Sequence, residues 1–245
     1  MKTFVINLST RPDKLRLFQE SWNWFSPIEY IEGIISDIPY TGCSLAHCKA
    51  IRKGLETNDM CLVLEDDARL NCSRNTFIDI LTEIKVYKTN YDAIILGPVF
   101  SSENPTPPKI INRVSDNFMR CSSTKSIKSA SGVIWFRRCL PLLDVYEQLL
   151  KNGYIFPIDR MLTAFSWDAS DTIKWHGPFT LKHPTVFINP IPRVLISNKC
   201  LIYQEPGLIS DNTKKLSYIN LKETEDYLDR WTLQTGTKQS LPSAK

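Results

Sequence analysis

Short, continuously apolar runs alternate along this chain with segments whose apolar residues recur at helical spacing. Thr3 to Leu8 reads as a first strand, ending in Asn7 and Leu8. Thr10, with Asp13 three residues on and Pro12 between them, predicts a helix start, and Leu15, Phe18 and Trp22 continue it at helical spacing. Ile28 to Ile35 predicts a second strand, followed by a loop through Pro39 and Gly42. Leu45, Cys48, Ile51 and Leu55 form one stripe of a helix over Ser44 to Leu55. Met60-Cys61-Leu62-Val63-Leu64 is apolar at every position, as a strand buried on both faces of a mostly parallel sheet must be.

The alternation continues downstream. Phe77 to Tyr87 is amphipathic and helical, and Tyr91 to Leu96 is another buried strand closed by Gly97-Pro98. Ser101 to Lys128 is polar and carries Pro105, Pro107 and Pro108, so it reads as a long loop of the kind used for lids and binding. Ser129 to Phe136 reads as a strand, Pro141 to Leu150 and Arg160 to Trp167 as helices, and the regions around Val186 and Leu201 as short strands. No repeat interrupts this order. The expectation is one α/β domain over residues 1–234 with a polar tail, 235–245.

Composition narrows the classes. The 245 residues are 42% hydrophobic, enough for one contiguous core. Thirty basic against twenty-six acidic residues give +4, and no stretch is saturated with Lys and Arg, which argues against nucleic acid as a partner. Charge alone leaves peripheral membrane contact open without supporting it. No apolar run approaches the roughly 18–20 residues needed to span a bilayer, and Met1 to Leu8 lacks the length and cleavage site of a secretory signal. Seven irregularly spaced cysteines form no CxxC and pair with no His pattern for zinc. They read as reduced thiols of a cytoplasmic protein.

The buried run at 60–64 ends abruptly in Glu65-Asp66-Asp67. Adjacent carboxylates raise one another's pKa unless a cation offsets them, and Mg²⁺ and Mn²⁺ take carboxylate and phosphate oxygens. The carboxyl end of a strand in an open α/β sheet is also where ligands bind. Strand alternation would set Glu65 and Asp67 on one side as metal ligands and Asp66 on the other. The plain alternative is an acidic loop that caps the next segment or pairs with Arg69.

Several segments then resemble glycosyltransferase family 25, the lipooligosaccharide-biosynthesis and collagen galactosyltransferase group. Val5-Ile6-Asn7-Leu8 with Asp13-Lys14 is similar to its opening strand and Asp-Arg pair. Gly42-Cys43-Ser44-Leu45-Ala46-His47 is similar to its G-C-x-x-S-H segment, and Leu64-Glu65-Asp66-Asp67 matches its L-E-D-D. Pro157-Ile158-Asp159 resembles its P-V-D, and Gln204 with Ser210-Asp211 its closing Q…S-D. The matches fall in the family's order between residues 4 and 211. Lys14 stands where Arg is usual and Ala46 where Ser is usual. Lys keeps the charge but loses the bidentate fork suited to phosphate.

The resemblance implies an α/β, GT-A-type Rossmann-like fold, with a mostly parallel central sheet flanked by helices. It also implies a UDP-sugar donor held with Mn²⁺ (or Mg²⁺). The reaction it implies is inverting transfer of a hexose, often galactose, to a hydroxyl of a glycan, a lipid-linked sugar or a hydroxylated side chain. Glu65 and Asp67 are then the expected metal ligands, and Asp66 an orienting or sugar-contacting residue. Asn7, Leu8, Arg11, His47, Glu65, Gln204 and Asp211 are expected around the donor. Inversion needs a base for the acceptor proton, and Asp159 is the candidate; capping the helix from Arg160 is its alternative role. Trp22, Trp24 and Phe25 read as core rather than as a sugar platform. Two other classes fit the carboxylates less completely: a non-catalytic α/β binding module, and a Mg²⁺-dependent nucleotidyl- or phosphotransferase, for which no G-x-x-x-x-G-K-[ST] loop is present.

Overall fold

The computed structural model describes residues 1–25, 27–100, 110–121, 127–128, 130–153, 157–164, 192–206 and 208. In chain order the first half runs β1 (Lys2–Asn7), α1 (Pro12–Trp22), β2 (Ile28–Glu32), α2 (Pro39–Leu55), β3 (Met60–Glu65), β4 (Ala68–Leu70), α3 (Arg74–Ile84) and β5 (Ala93–Ile95). The second half adds β6 (Val99–Phe100), β7 (Ile110–Arg113), β8 (Phe118–Cys121), β9 (Ile127–Lys128), β10 (Gly132–Phe136), α4 (Leu140–Lys151), α5 (Ile158–Ala164), β11 (Val194–Ser197) and β12 (Ile202–Gln204).

Eight strands form one sheet in the order β2-β1-β3-β10-β5-β11-β8-β7. The pairings β2–β1, β1–β3 and β5–β11 are parallel; β10 and β8 run against their neighbours, so the other six strands share one direction. The sheet is the expected mostly parallel one, with antiparallel β10 wedged between β3 and β5.

Both faces are covered. Phe4, Ile6, Cys61, Val63, Val133 and Trp135 point toward α2, α4 and α5, where Ile51, Leu55, Tyr146 and Leu162 meet them. Val5, Leu62, Leu64, Ile134 and Phe136 point the other way, toward Phe18 and Trp22 of α1 and Phe77 and Ile84 of α3. Each such side chain, fully buried, contributes about 1.5–3 kcal/mol, so a strand apolar at every position is held at the centre. Trp22 stacks on Phe18 and Trp24, meets Phe77 edge-on, and donates from Nε1 to Ala68 O at 2.9 Å. Trp22 is core, and Trp24 and Phe25, half-buried, pack against it.

Four local expectations change. The stripe that α1 buries is Lys14, Phe18 and Trp22, not Leu15, and the helix begins at Pro12 after Arg11 rather than at a Thr10 cap. Helix α2 begins five residues before Ser44. The segment read as a loop over 101–128 contains the β7–β8 hairpin, which extends the sheet because Phe118 and Met119 are buried. Strand β11 was not expected and lies beside β5. Ser210, Asp211, the stretch around Val186, residues 165–167 and the tail 235–245 lie outside the described residues. Cys43, Cys48, Cys61, Cys72, Cys139 and Cys200 are free thiols, and no described helix is long and apolar enough to cross a membrane.

Candidate functional site

Strands β1, β2 and β3 run parallel, so their carboxyl ends open together on one edge of the sheet. A cavity of about 180 Å³ lies there, lined by Asn7, Lys14, Glu65, Asp66, Asp67 and Gln204 among others. Its far wall is the Gly33-Ile34-Ile35-Ser36 segment after β2 together with Pro39, Cys43 and Ala46 of α2. Gly42 lets these two walls meet: a Cβ there would stand 2.0 Å from Ile34 O.

The triplet is shaped by where β3 stops. Glu65 is the last strand residue, and its N–H still reaches Ser131 O at 3.1 Å. Asp66 and Asp67 form a turn, so strand alternation does not carry through them, and all three carboxylates border the cavity. The turn is tied down by its carbonyls. Arg69 donates to Asp66 O at 3.2 Å, and Glu205 N–H to Asp67 O at 2.8 Å. Arg69's own ion pair is with Glu205, at 3.0 Å, so it supports the turn's backbone rather than pairing with the triplet's side chains.

The triplet divides as Glu65 against Asp66 and Asp67, not as the expected Glu65/Asp67 pair against Asp66. Asp66 accepts from Asn7 Nδ2 at 2.8 Å, and the same nitrogen reaches Arg11 O at 3.2 Å. Lys14 Nζ lies 3.6 Å from Asp66 Oδ1 and 3.9 Å from Asp67 Oδ2. Glu65 turns away toward α2 and β12. Its Oε1 meets His47 Nε2 at 3.3 Å and the Cys43 thiol at 3.7 Å; its Oε2 accepts from Gln204 Nε2 at 3.1 Å and Ser131 Oγ at 3.4 Å. Pairing of β12 with β4 sets Gln204 opposite Ala68, which carries it to Glu65 across 139 residues of sequence.

Electrostatics separate the neighbours further. Burial pushes the Asp67 carboxyl up, Glu65 and Asp66 push it further, and Lys14 and Arg69 only partly offset them; it sits at about 7. Burial also pushes Glu65 upward, but the hydrogen bond and charge of His47, with Lys14 and Gln204, outweigh it and hold the group below its ordinary range. Asp67 Oδ1 is buried and has no hydrogen-bond partner among the described residues.

Other expected residues fall as follows. Leu8 lines the cavity, against Gly33. Arg11 is turned to Asp13, which it grips at 3.0 and 2.9 Å, and is not a lining residue. His47 is fully buried behind Glu65. Asp159 lies in the first turn of α5, near enough to buried Tyr146 to help raise its pKa, after burial itself, and does not line the cavity. Ser131 was not expected at the site, and Lys14 was expected only as the counterpart of a motif Arg. The signal for Lys14 was available: it precedes Phe18 and Trp22 by four and eight positions, on the buried stripe of α1.

The donor set is suited to a hard divalent cation. Asp66 and Asp67 border the cavity, Asp67 Oδ1 has no hydrogen-bond partner among the described residues, and Lys14 and Arg69 only partly offset the charge around it.

No family model and no curated protein matches the chain. Solved structures do. The chain superposes on a glycosyltransferase involved in the glycosylation of the major capsid of PBCV-1 with a TM-score of 0.50 at 10% identity, over 94% of this chain and 98% of that one. The galactosyltransferase LgtC, in complex with donor and acceptor sugar analogs, gives 0.37 at 11% identity over 99% and 98%. A 4-diphosphocytidyl-2C-methyl-D-erythritol synthase from Anaerococcus prevotii gives 0.38 at 10% over 94% and 79%. At such identities the first likeness speaks for the fold alone: this chain has a GT-A-type α/β fold, a mostly parallel sheet flanked by helices on both faces.

Proposed function

We propose that the chain is a glycosyltransferase of the family 25 type, moving a hexose such as galactose from a UDP-sugar to a hydroxyl of a glycan, lipid-linked sugar or hydroxylated side chain. One observation carries the reading. Three carboxylates at the carboxyl end of β3 converge with Asn7 and Lys14 on a cavity at the parallel edge of a GT-A-type sheet. The sequence resemblance falls on these same residues.

Asp66 and Asp67 are the residues that would hold Mn²⁺ or Mg²⁺, with Glu65 fixing the wall behind them. The cation, when bound, neutralises the donor diphosphate and eases its departure. Asn7 aims Asp66 by spanning from its carboxylate to the Arg11 carbonyl. Lys14 offsets the charge of the carboxylate turn. Glu65 is held at one oxygen by Gln204 and Ser131 and at the other by His47 and Cys43. The Ile34-Ile35 wall offers apolar surface to a nucleobase, Ile35 being 76% exposed at the rim. Inverting transfer forms the bond from the acceptor oxygen to the anomeric carbon as the bond to the diphosphate breaks, and the acceptor proton passes to a base. Asp159 is the proposed base, with the acceptor approaching from the α5 side. Asp211 remains a proposed donor contact from the sequence match.

A panel of UDP-sugars with and without Mn²⁺, read by UDP release, tests this. One donor should turn over only with the cation, and Asp67→Ala should abolish release. Full turnover in that variant would remove the metal assignment, and Asp159→Asn without loss would remove the base. Nucleotide binding without release from any donor would favour a non-catalytic module.

A further inference from the structure

The carboxylate turn does not exhaust the ligating groups at this edge of the sheet. Cys43 and His47 stand four residues apart on α2, and so project from one face of it. Both meet Glu65 Oε1, the sulfur at 3.7 Å and His47 Nε2 at 3.3 Å, and the three ligating atoms all lie within 4.8 Å of one another. A tetrahedral zinc ion, with bonds of about 2.0–2.2 Å to oxygen and nitrogen and about 2.3 Å to sulfur, separates oxygen from nitrogen by about 3.3 Å and oxygen from sulfur by about 3.5 Å. The two spacings from Glu65 Oε1, 3.3 and 3.7 Å, are close to those tetrahedral edges.

Charge and orientation agree with geometry. A thiolate and a carboxylate together carry two negative charges, which a divalent ion cancels in a place where His47 is fully buried. Glu65 is held by its other oxygen: Gln204 and Ser131 both donate to Oε2, which leaves Oε1 directed at Cys43 and His47. Outer hydrogen bonds of this kind orient a ligand at metal centres. Cys43 and Glu65 border the cavity whereas His47 does not, so the fourth coordination position opens into it.

We propose that Cys43, His47 and Glu65 form a second metal site, of the zinc type, with three protein ligands and one open position facing the donor cavity. Its sulfur–nitrogen–oxygen set takes Zn²⁺ or Co²⁺, in contrast to the all-oxygen set of Asp66 and Asp67, which takes Mn²⁺ or Mg²⁺. Binding releases the Cys43 thiol proton to solvent, and the imidazole keeps its proton on Nδ1. The site does not depend on the glycosyl-transfer reading, since it rests on ligand geometry alone.

Cobalt titration of the full, reduced, metal-free chain tests it. Co²⁺ alone should give a sulfur-to-cobalt charge-transfer band and intense tetrahedral visible bands, saturating at one ion per chain and bleached by Zn²⁺. The charge-transfer band should vanish in both Cys43→Ser and Cys43→Ala, with folding checked by circular dichroism. Affinity should fall at least about tenfold in His47→Asn. Cys72→Ser and Asp67→Asn should keep the band. A wild-type protein without the band, a band surviving in the Cys43 variants, or one lost in Asp67→Asn would overturn the proposal. The readout needs no donor and no turnover, so its failure is distinct from failure of the transferase reading.

Discussion

Lys14 Nζ lies 3.6 Å from Asp66 Oδ1, with 4% and 11% of the two side chains exposed. An ammonium on the buried stripe of a helix is costly to desolvate, and here it is compensated by carboxylates that would otherwise repel one another. The pair couples the fold to the site: α1 docks on the sheet through Phe18 and Trp22, and the same docking delivers a cation to the Asp66-Asp67 turn.

Removing that cation should therefore be expensive. Lys14→Met is expected to destabilise the metal-free protein by about 3–5 kcal/mol, because it strips a partner from buried charges while conserving side-chain volume. Urea denaturation measures this. Added Mn²⁺ should recover part of the loss in the variant and stabilise it more than it stabilises the wild type. Equal stabilisation of both proteins would show that Lys14 and the cation do not answer to the same charges.

Asp67 predicts a pH dependence of definite sign. Its carboxyl is raised from 3.8 to about 7 in the folded chain. Below about pH 4 it is protonated whether folded or not and contributes no difference. As pH rises from 4 to 7 the unfolded chain ionises first, so this group costs stability progressively, and the cost is complete above 7. Asp67→Asn lacks that cost. Without metal its melting temperature should match the wild type near pH 4 and exceed it by several degrees at pH 8. Mn²⁺ at pH 8 should reverse the order by stabilising only the wild type. A constant difference across the pH range would contradict the raised carboxyl.

The layered α/β order was legible because fully buried strands need apolar residues at every position, as Met60 to Leu64 shows. Asn7, Leu8, Gln204 and the triplet itself could be read off motifs, and all of them line one cavity. The hairpin β7–β8 was not legible: its burial comes from Phe118 and Met119 in strands four residues long, set among prolines and polar residues. The split within the triplet was hidden for a different reason. Alternation holds only while the chain is a strand, and β3 ends at Glu65. Lys14 was legible as the counterpart of a motif Arg, but its pairing was not, because its carboxylate partners lie some fifty residues on in the chain.

Asn7 carries a single nitrogen that spans the Asp66 carboxylate and the Arg11 carbonyl. A hydrogen bond to a charged group contributes about 1.5–3 kcal/mol, so Asn7→Ala should lose roughly that much stability and lower metal-dependent turnover by misplacing Asp66. Asn7→Asp keeps the shape but adds a fourth carboxylate. It should be less stable than Asn7→Ala without cation, and gain more from Mn²⁺. Thermal shifts of the two variants with and without the ion check this ordering.

Gly42 sets two opposing effects against each other. Replacing a helical Gly with Ala gains about 1 kcal/mol of helix propensity. At this position the new methyl would stand 2.0 Å from Ile34 O, a backbone atom that cannot swing aside as a side-chain tip would. Overpacking of that kind costs about 1–3 kcal/mol, so Gly42→Ala should be destabilising despite its better propensity. The strain would be relieved by moving α2 away from the Gly33 to Ser36 wall, which widens the cavity and displaces Cys43 at once. Donor KM should rise more than kcat falls, since the wall shapes binding and the carboxylate turn is held separately by Arg69 and Glu205. Gly42→Ala with unchanged stability and unchanged KM would mean that the two walls yield without consequence for the site.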